Sequence, residues 1–216
     1  MNWTKVLKLL VYAPDKLNVA STNAQRSYQM NYQKYLLQSV KATSRKGAAI
    51  TVIDPKFFNE FLSDLKNDES LDLELRVLVA IGLSTGGRIE ELLSIKSSDI
   101  NSGFCKINVL KKRIGGATRE AKLHPVAEEL IALLKRRSGQ YILRMDRKQA
   151  WYQLNKHFGF GPHAMRHSHI SFLVESNMPA LQITKIMNLS NTNVVAAYTH
   201  TNVRATLTDV WTKKVS

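Results

Sequence analysis

At 216 residues and 44% apolar content, the chain is long enough to bury a real core and suggests one ordinary domain with an appendage rather than two full domains. No apolar run approaches the roughly 20 residues that span a bilayer, and the N-terminal run is too short for a signal peptide; with Cys105 as the single cysteine, which cannot form an internal disulfide, the expected setting is intracellular. The net charge of +14 is large for this length and points to a polyanionic partner, nucleic acid before membrane.

The charge is unevenly placed. Residues 1–50 carry eight Lys/Arg against one acid, residues 51–105 five against ten, and residues 106–148 twelve against four. Two basic blocks around an acidic one predict a nucleic-acid side and an opposite face. In the first block a helix is expected over about Ser21 to Ala42, with Tyr28, Tyr32, Leu36 and Val40 on one face and Arg26, Lys34 and Lys41 elsewhere. Thr43 to Ala49, which contains Arg45 and Lys46, reads as a linker. The division is therefore a basic helical extension over residues 1–49 and a main domain over residues 50–216. The extension is either an arm that crosses a polyanion or an amphipathic helix packed on the main domain.

Asp54 and Pro55 form a helix start, the carboxylate capping free N–H groups and the proline set for the first turn. Phe57, Phe58, Phe61, Leu62 and Leu65 make its apolar stripe. A second helix is expected from about Leu71 to Leu83, with Asp72 and Glu74 on its outer face. The acids Asp68, Glu69, Asp72 and Glu74 make an acidic helix surface rather than a converging metal pair.

Next comes TGGRIEELLSIKSSDI, Thr85 to Ile100. Its glycines permit a tight turn close to a phosphate and place Arg88 at a helix entrance. A hairpin follows, Phe104 to Lys112 and Thr118 to His124, with Cys105 inward and a basic tip, Lys111 to Arg113. Pro125 starts a helix to about Arg137, whose Lys135 to Arg137 end is expected to be solvated or phosphate-facing. Another helix is expected over Arg147 to Phe158, with Trp151, Leu154 and Phe158 as core.

The stretch HAMRHSH puts His163 and Arg166 three apart at a helix start, so both project to one face, with His167 a turn from His163. His163, His167 and His169 bring neither a converging third ligand nor an HExxH pattern, so no metal is expected. Tyr198 follows in NVVAAYTH, thirty-two residues after Arg166, on a helix with small neighbours.

The Arg88 box, HAMRHSH and AAYTH together resemble the tyrosine recombinase and phage integrase family over about residues 50 to 212. That resemblance implies a mainly α domain carrying a small antiparallel β-sheet (α+β). It also implies a site-specific recombinase or integrase, which cleaves and rejoins double-stranded DNA through a 3′-phosphotyrosyl link. The implied site is Arg88 and Arg166 as phosphate clamps, a lysine at the hairpin tip as general acid, His163 bonding the phosphate or assisting proton movement near Tyr198, and Tyr198 as nucleophile. Counting from the strand favours Lys112, with Lys111 the alternative. Neither metal nor nucleotide triphosphate is implied, because the phosphotyrosyl bond stores the energy. Arg26, Lys34, Lys41, Arg45, Lys46, Lys111, Arg113 and Arg119 are the expected phosphate contacts. Val203 to Trp211 is expected either to dock on a second protomer or to pack on its own domain.

One position departs from the family pattern. Its second histidine or tryptophan, in an L-G-H-S motif, falls at Leu189, which cannot hydrogen-bond a phosphate; Asn188 or Asn191 would have to stand in. Two rivals follow. One is a relaxer of the type IB topoisomerase kind, with the same chemistry on one duplex. The other is a DNA-binding relative weakened or silent in catalysis.

Overall fold

The organising element of the fold is a helix apolar around most of its circumference beyond its first turn. LELRVLVAIGLST forms α2 (Leu73–Thr85), in which Val77 through Ile81 and Leu83 are fully buried. Such a helix must be wrapped by other elements to keep those residues from water. In a computed structural model that describes residues 32–40, 50–110, 117–196 and 198, four other helices pack against it. They are α1 (Phe58–Asn67), α4 (Pro125–Leu133), α5 (Arg147–Phe158) and α6 (Pro162–Glu175), with the short α3 (Ile89–Leu93) leaving its C-terminal turn. Two smaller helices, α7 (Ala180–Ile186) and α8 (Asn193–Ala196), follow.

Two antiparallel sheets accompany the helices among the described residues. Strand β1 (Leu36–Val40) pairs with β2 (Ile50–Ile53), and β3 (Ile100–Asn101), β4 (Phe104–Asn108) and β5 (Thr118–Lys122) form a meander. Ile107 opposes Arg119 and Asn108 opposes Thr118, so the hairpin tip begins at Val109, whose N–H donates to Ala117 O at 2.8 Å. Cys105 is fully buried in β4, and burial pushes its thiol up to about 12, which leaves it unreactive. The mainly α architecture with small antiparallel sheets is the expected one.

Several local expectations are corrected. The helix drawn over Ser21 to Ala42 does not extend to its end: residues 36–40 are strand β1, with Leu36 opposite Ile53 and Leu37 opposite Val52. Sheet pairing with Ile50–Ile53 overrides the helical spacing of Tyr32, Leu36 and Val40. Just ahead of β1, Tyr32 and Tyr35 are buried against Phe61 and Phe158, and their hydroxyls donate to Asp68 and Asp64 at 3.0 and 2.6 Å. Residues 32–40 thus share one core with the main domain, although they lie on the other side of the division at residue 49.

Trp151, expected in the core, is 56% exposed. The buried stripe of α5 is Ala150, Leu154 and Phe158, spaced i, i+4, i+8, and Trp151 sits about 100° around the helix from it. Phe57 likewise stays half-exposed outside the stripe made by Phe58, Phe61, Leu62 and Leu65. Helix α4 stops at Leu133, with Lys135 in a left-handed conformation, rather than running to Arg137.

The outer-face acids are structural. Asp72 caps α2, accepting from the N–H groups of Glu74 and Leu75. Glu74 accepts from Arg136 Nη2 and from the Arg144 N–H, tying the segment after α4 to the start of α2. Arg136, expected to be solvated or phosphate-facing, is therefore turned onto a carboxylate.

Candidate active site

The site grows from the C-terminal end of α2. Gly86 closes that helix at φ 60°, and a Cβ there would lie 2.4 Å from Met187 Cε and 2.8 Å from His169 Cδ2. Only glycine allows both the left-handed turn and the close approach of α6 and α7. The turn delivers Arg88 to the N-cap of α3 in extended conformation. There Arg88 N–H donates to Glu91 Oε2 and Arg88 Nη1 to Glu91 Oε1, both at 2.9 Å. Glu91 is 1% exposed, so a buried carboxylate orients the arginine from behind and leaves its remaining donors for the cleft.

Helix α6 supplies the second half. Ser168 Oγ accepts from Ile53 N–H at 2.9 Å and fixes the helix against β2, while His169 Nδ1 lies 2.7 Å from Leu83 O at the end of α2. Between them Arg166 is buried, donating from Nη1 to Gly86 O at 2.7 Å and from Nη2 to Met187 O at 3.0 Å. It staples the Arg88 turn to the end of α7. Burial, reinforced by the charges of Arg88 and Arg119, lowers its guanidinium to about 10, which still leaves a cation at neutral pH.

Tyr198 is carried on a separate apolar cluster. Ile170, Ile183, Met187 and Val195 are its buried members, with Leu173, Val174, Met178, Leu189 and Tyr198 packed against them. The tyrosine stands two residues past the end of α8, its N–H bonded to Val195 O at 2.8 Å, rather than within the helix. Burial pushes its hydroxyl up to about 12 against the opposing pull of Arg166. Its Oη shares a hydrogen bond with His167 Nδ1, and the two rings stack with centroids 5.6 Å apart.

A cavity of about 520 Å³ joins these parts, lined by Arg88, His163, Arg166, His167, Leu189 and Tyr198 among others. Four of the five expected catalytic side chains thus face one space. Lys112 and its alternative Lys111 lie outside the described residues, as do Arg26, Lys41, Arg45, Lys46, Arg113 and Val203 to Trp211. Val109, where the hairpin tip begins, also lines the cavity.

Two of the expected phosphate contacts are described. Lys34 is 3.5 Å from Asp64 and lies over the Tyr35 ring. Arg119 turns inward: its Nη2 donates to Thr85 O at 2.8 Å and its Nη1 is buried without a partner. It braces the same turn that Arg166 holds, the two guanidinium groups taking successive carbonyls, Thr85 and Gly86.

Leu189 follows a helix cap with a defined geometry. Asn188 adopts φ 49°, its N–H bonds Lys185 O, and the Leu189 N–H bonds Thr184 O. This pair of bonds is a Schellman cap, which wants a residue tolerant of the left-handed region and then an apolar one. Asn188 thus takes the place of the glycine in the family's L-G-H-S pattern and lines the cavity together with Leu189, which, like Tyr198, packs on the Ile170–Ile183–Met187–Val195 cluster. Asn191 is exposed and does not line that cavity.

Two site residues escaped the sequence reading. The signal for Glu91 is its i, i+3 spacing from an N-cap, that of a capping box. The signal for His167 is its position beside Arg166 in HAMRHSH.

No protein-family model matches the chain. A curated protein, tyrosine recombinase XerA of Thermococcus kodakarensis, is 28% identical over 149 residues, which cover 59% of this chain and 51% of that protein. The chain therefore spans about half the length of this relative. The catalytic domain of bacteriophage HP1 integrase superposes with a TM-score of 0.55 at 16% identity, covering 76% of this chain and 95% of that one. XerH recombinase in its post-cleavage complex gives 0.59 at 18% identity, covering 74% and 52%. The chain carries the fold of the tyrosine recombinase catalytic domain, and the resemblance to that family legible in its two arginine boxes holds for its backbone as well.

Proposed function

We propose that this chain is the catalytic portion of an intracellular site-specific DNA recombinase or integrase acting on double-stranded DNA. The observation that carries the proposal is the convergence of Arg88, His163, Arg166 and Tyr198 on one cavity. Tyr198 Oη attacks the scissile phosphorus, the bond to the 5′ oxygen breaks, and a 3′-phosphotyrosyl ester forms. Arg88 and Arg166 neutralise the non-bridging oxygens, a task for fixed guanidinium donors rather than a mobile ammonium. His163, exposed at the cavity, bonds the phosphate. Lys112, or Lys111, protonates the leaving oxygen from a hairpin whose tip starts at the cavity edge. Recombinases of the same fold are described bound to their DNA substrate. Self-association on DNA through Val203 to Trp211 belongs to the same reading.

The test is a pool of nicked duplexes of randomised sequence, incubated with the protein and denatured in detergent. DNA retained on protein through a 3′ phosphate, and enriched in one sequence, is the expected result. DNA binding with no retained DNA would leave a binding protein without catalysis. Leu189 facing the cavity is the observation that favours this second reading.

Leucine there removes one hydrogen bond to a charged group, worth about 1.5 to 3 kcal/mol, or roughly ten- to a hundredfold in rate. Leu189→His is therefore expected to speed cleavage of the enriched duplex by roughly that factor, dependent on Tyr198, and to lower the melting temperature because apolar packing is lost. A histidine variant no faster than wild type would mean that the phosphate contact is supplied elsewhere.

The basic segment is proposed as part of the DNA grip. Because Tyr32 and Tyr35 belong to the core, the informative truncation removes residues 1–31 only. It should weaken duplex binding and flatten the slope of log affinity against log salt, since fewer counterions are released. An unchanged slope would take residues 1–31 out of the DNA grip and leave that role to Lys34, Lys41, Arg45 and Lys46.

A further inference from the structure

The turn that carries Arg88 into the cavity contains two adjacent glycines, Gly86 and Gly87, and such a turn has the widest conformational freedom a chain can have. Side chains take that freedom away. Arg119 Nη2 donates to Thr85 O at 2.8 Å and Arg166 Nη1 to Gly86 O at 2.7 Å, while the Gly87 N–H donates to Thr85 Oγ1 at 3.2 Å and the Arg88 N–H to Glu91 Oε2 at 2.9 Å. Four consecutive residues are thus held one by one. Arg119 stands on β5 opposite Ile107 of β4, so it ties the turn to the hairpin sheet, as Arg166 ties it to α6 and to the end of α7. Stability alone accounts poorly for an arginine at this place: its Nη1 is buried without a partner, and burial lowers its guanidinium, with Glu91 opposing and Arg88 adding to the fall. Glu91 offers it no bond, since both carboxylate oxygens are taken by Arg88. We propose that Arg119 is a positioning residue for the phosphate clamp, fixing the glycine turn that aims Arg88 into the cavity.

This rests on the reading of the chain as a DNA-cleaving enzyme and deepens it. Arg88 lines the cavity and Arg119 does not, so Arg119 acts through Arg88 rather than on the phosphate. A guanidinium already held in place meets the charge that develops on a non-bridging oxygen without reorganising, whereas one carried on a loose glycine turn has to be reoriented in every reaction. The rate of adduct formation therefore depends on Arg119. Duplex affinity does not, because it is spread over many phosphate contacts.

The experiment times adduct formation on the duplex enriched in the adduct assay. Arg119→Lys keeps a cation and a donor for Thr85 O, and Arg119→Met keeps the apolar stem and removes both; each is made alone and together with Arg88→Ala. The methionine variant is expected to form adduct roughly ten- to a hundredfold more slowly, with duplex affinity and its salt slope unchanged. Its melting temperature should stay within about 4 °C of wild type. The lysine variant is expected to recover most of the rate. In the Arg88→Ala background the methionine should cost less than about threefold, because no guanidinium remains to be aimed. A loss as large in that background as in wild type would make Arg119 a general support of the fold and overturn the proposal, as would a methionine variant that is unfolded at the assay temperature. A fall in duplex affinity with a shallower salt slope would overturn it by making Arg119 a phosphate contact. Wild-type protein that binds the pool without forming adduct would instead sink the functional reading, and this proposal with it.

Discussion

Tyr198→Phe is expected to abolish covalent adduct formation while leaving duplex binding and folding close to wild type. The substitution removes one oxygen. The ring keeps its place against Ile170, Ile183, Met187 and Val195 and its stack on His167, so the lost stability is that of one hydrogen bond, about 1 kcal/mol. Catalysis has no such reserve, because no other described tyrosine lines the cavity. Tyr32 and Tyr35 are buried and bonded to carboxylates, and Tyr141 and Tyr152 are exposed beneath Lys96 and Lys156. Residual adduct in the phenylalanine variant, at a yield comparable to wild type, would transfer the nucleophile to another residue and break the link between the HAMRHSH box and AAYTH.

How far the sequence could be read follows from the range of the interactions involved. The placing of Arg88, His163 and Arg166 at helix starts was legible because local rules fix it: a glycine turn, an N-cap and an i, i+3 pair on one helix face; that they belong to one site is what the family resemblance implied. Helix α5 was bounded at Arg147 and Phe158 for the same reason, with Asp146 capping its start and Gly159 closing its end. Trp151 was misassigned because a large aromatic is a strong core signal, while the stripe that is buried starts at the small Ala150. Strand β1 was missed because its pairing with β2 is a long-range contact that competes with a helical spacing. The inward turn of Arg119 is of the same kind: alternation along a strand says which face it takes, not that the Thr85 carbonyl waits there. The Leu189 departure was visible from counting, yet the Schellman cap that explains Asn188 and Leu189 as a pair appears only in three dimensions.

Arg88→Lys and Arg166→Lys are expected to separate two functions that the sequence presents as equivalent. Each removes a planar donor set aimed at developing charge on the phosphate. Loss of one such preorganised donor costs roughly 10²- to 10³-fold in rate. Duplex affinity should change little for either, since it is spread over many phosphate contacts. Stability is where they part. Arg88 is 23% exposed and bonds Glu91, which keeps the backbone N–H of residue 88 after the substitution, so its lysine variant should melt near wild type. Arg166 satisfies two carbonyls, Gly86 O and Met187 O, and a lysine cannot span both. An unsatisfied buried carbonyl costs about 1 to 3 kcal/mol. Near 2 kcal/mol, a chain of this size should melt roughly 4 to 8 °C lower. The same loss frees the Arg88 turn from α7, so Arg166→Lys should also be the slower of the two, by an added factor that low temperature partly restores. Adduct kinetics on the enriched duplex and thermal melts of both variants give the comparison. Equal melting temperatures would mean that Arg166 does not hold the turn, and parallel losses of binding and cleavage would make both arginines ordinary DNA contacts rather than a clamp on the transition state.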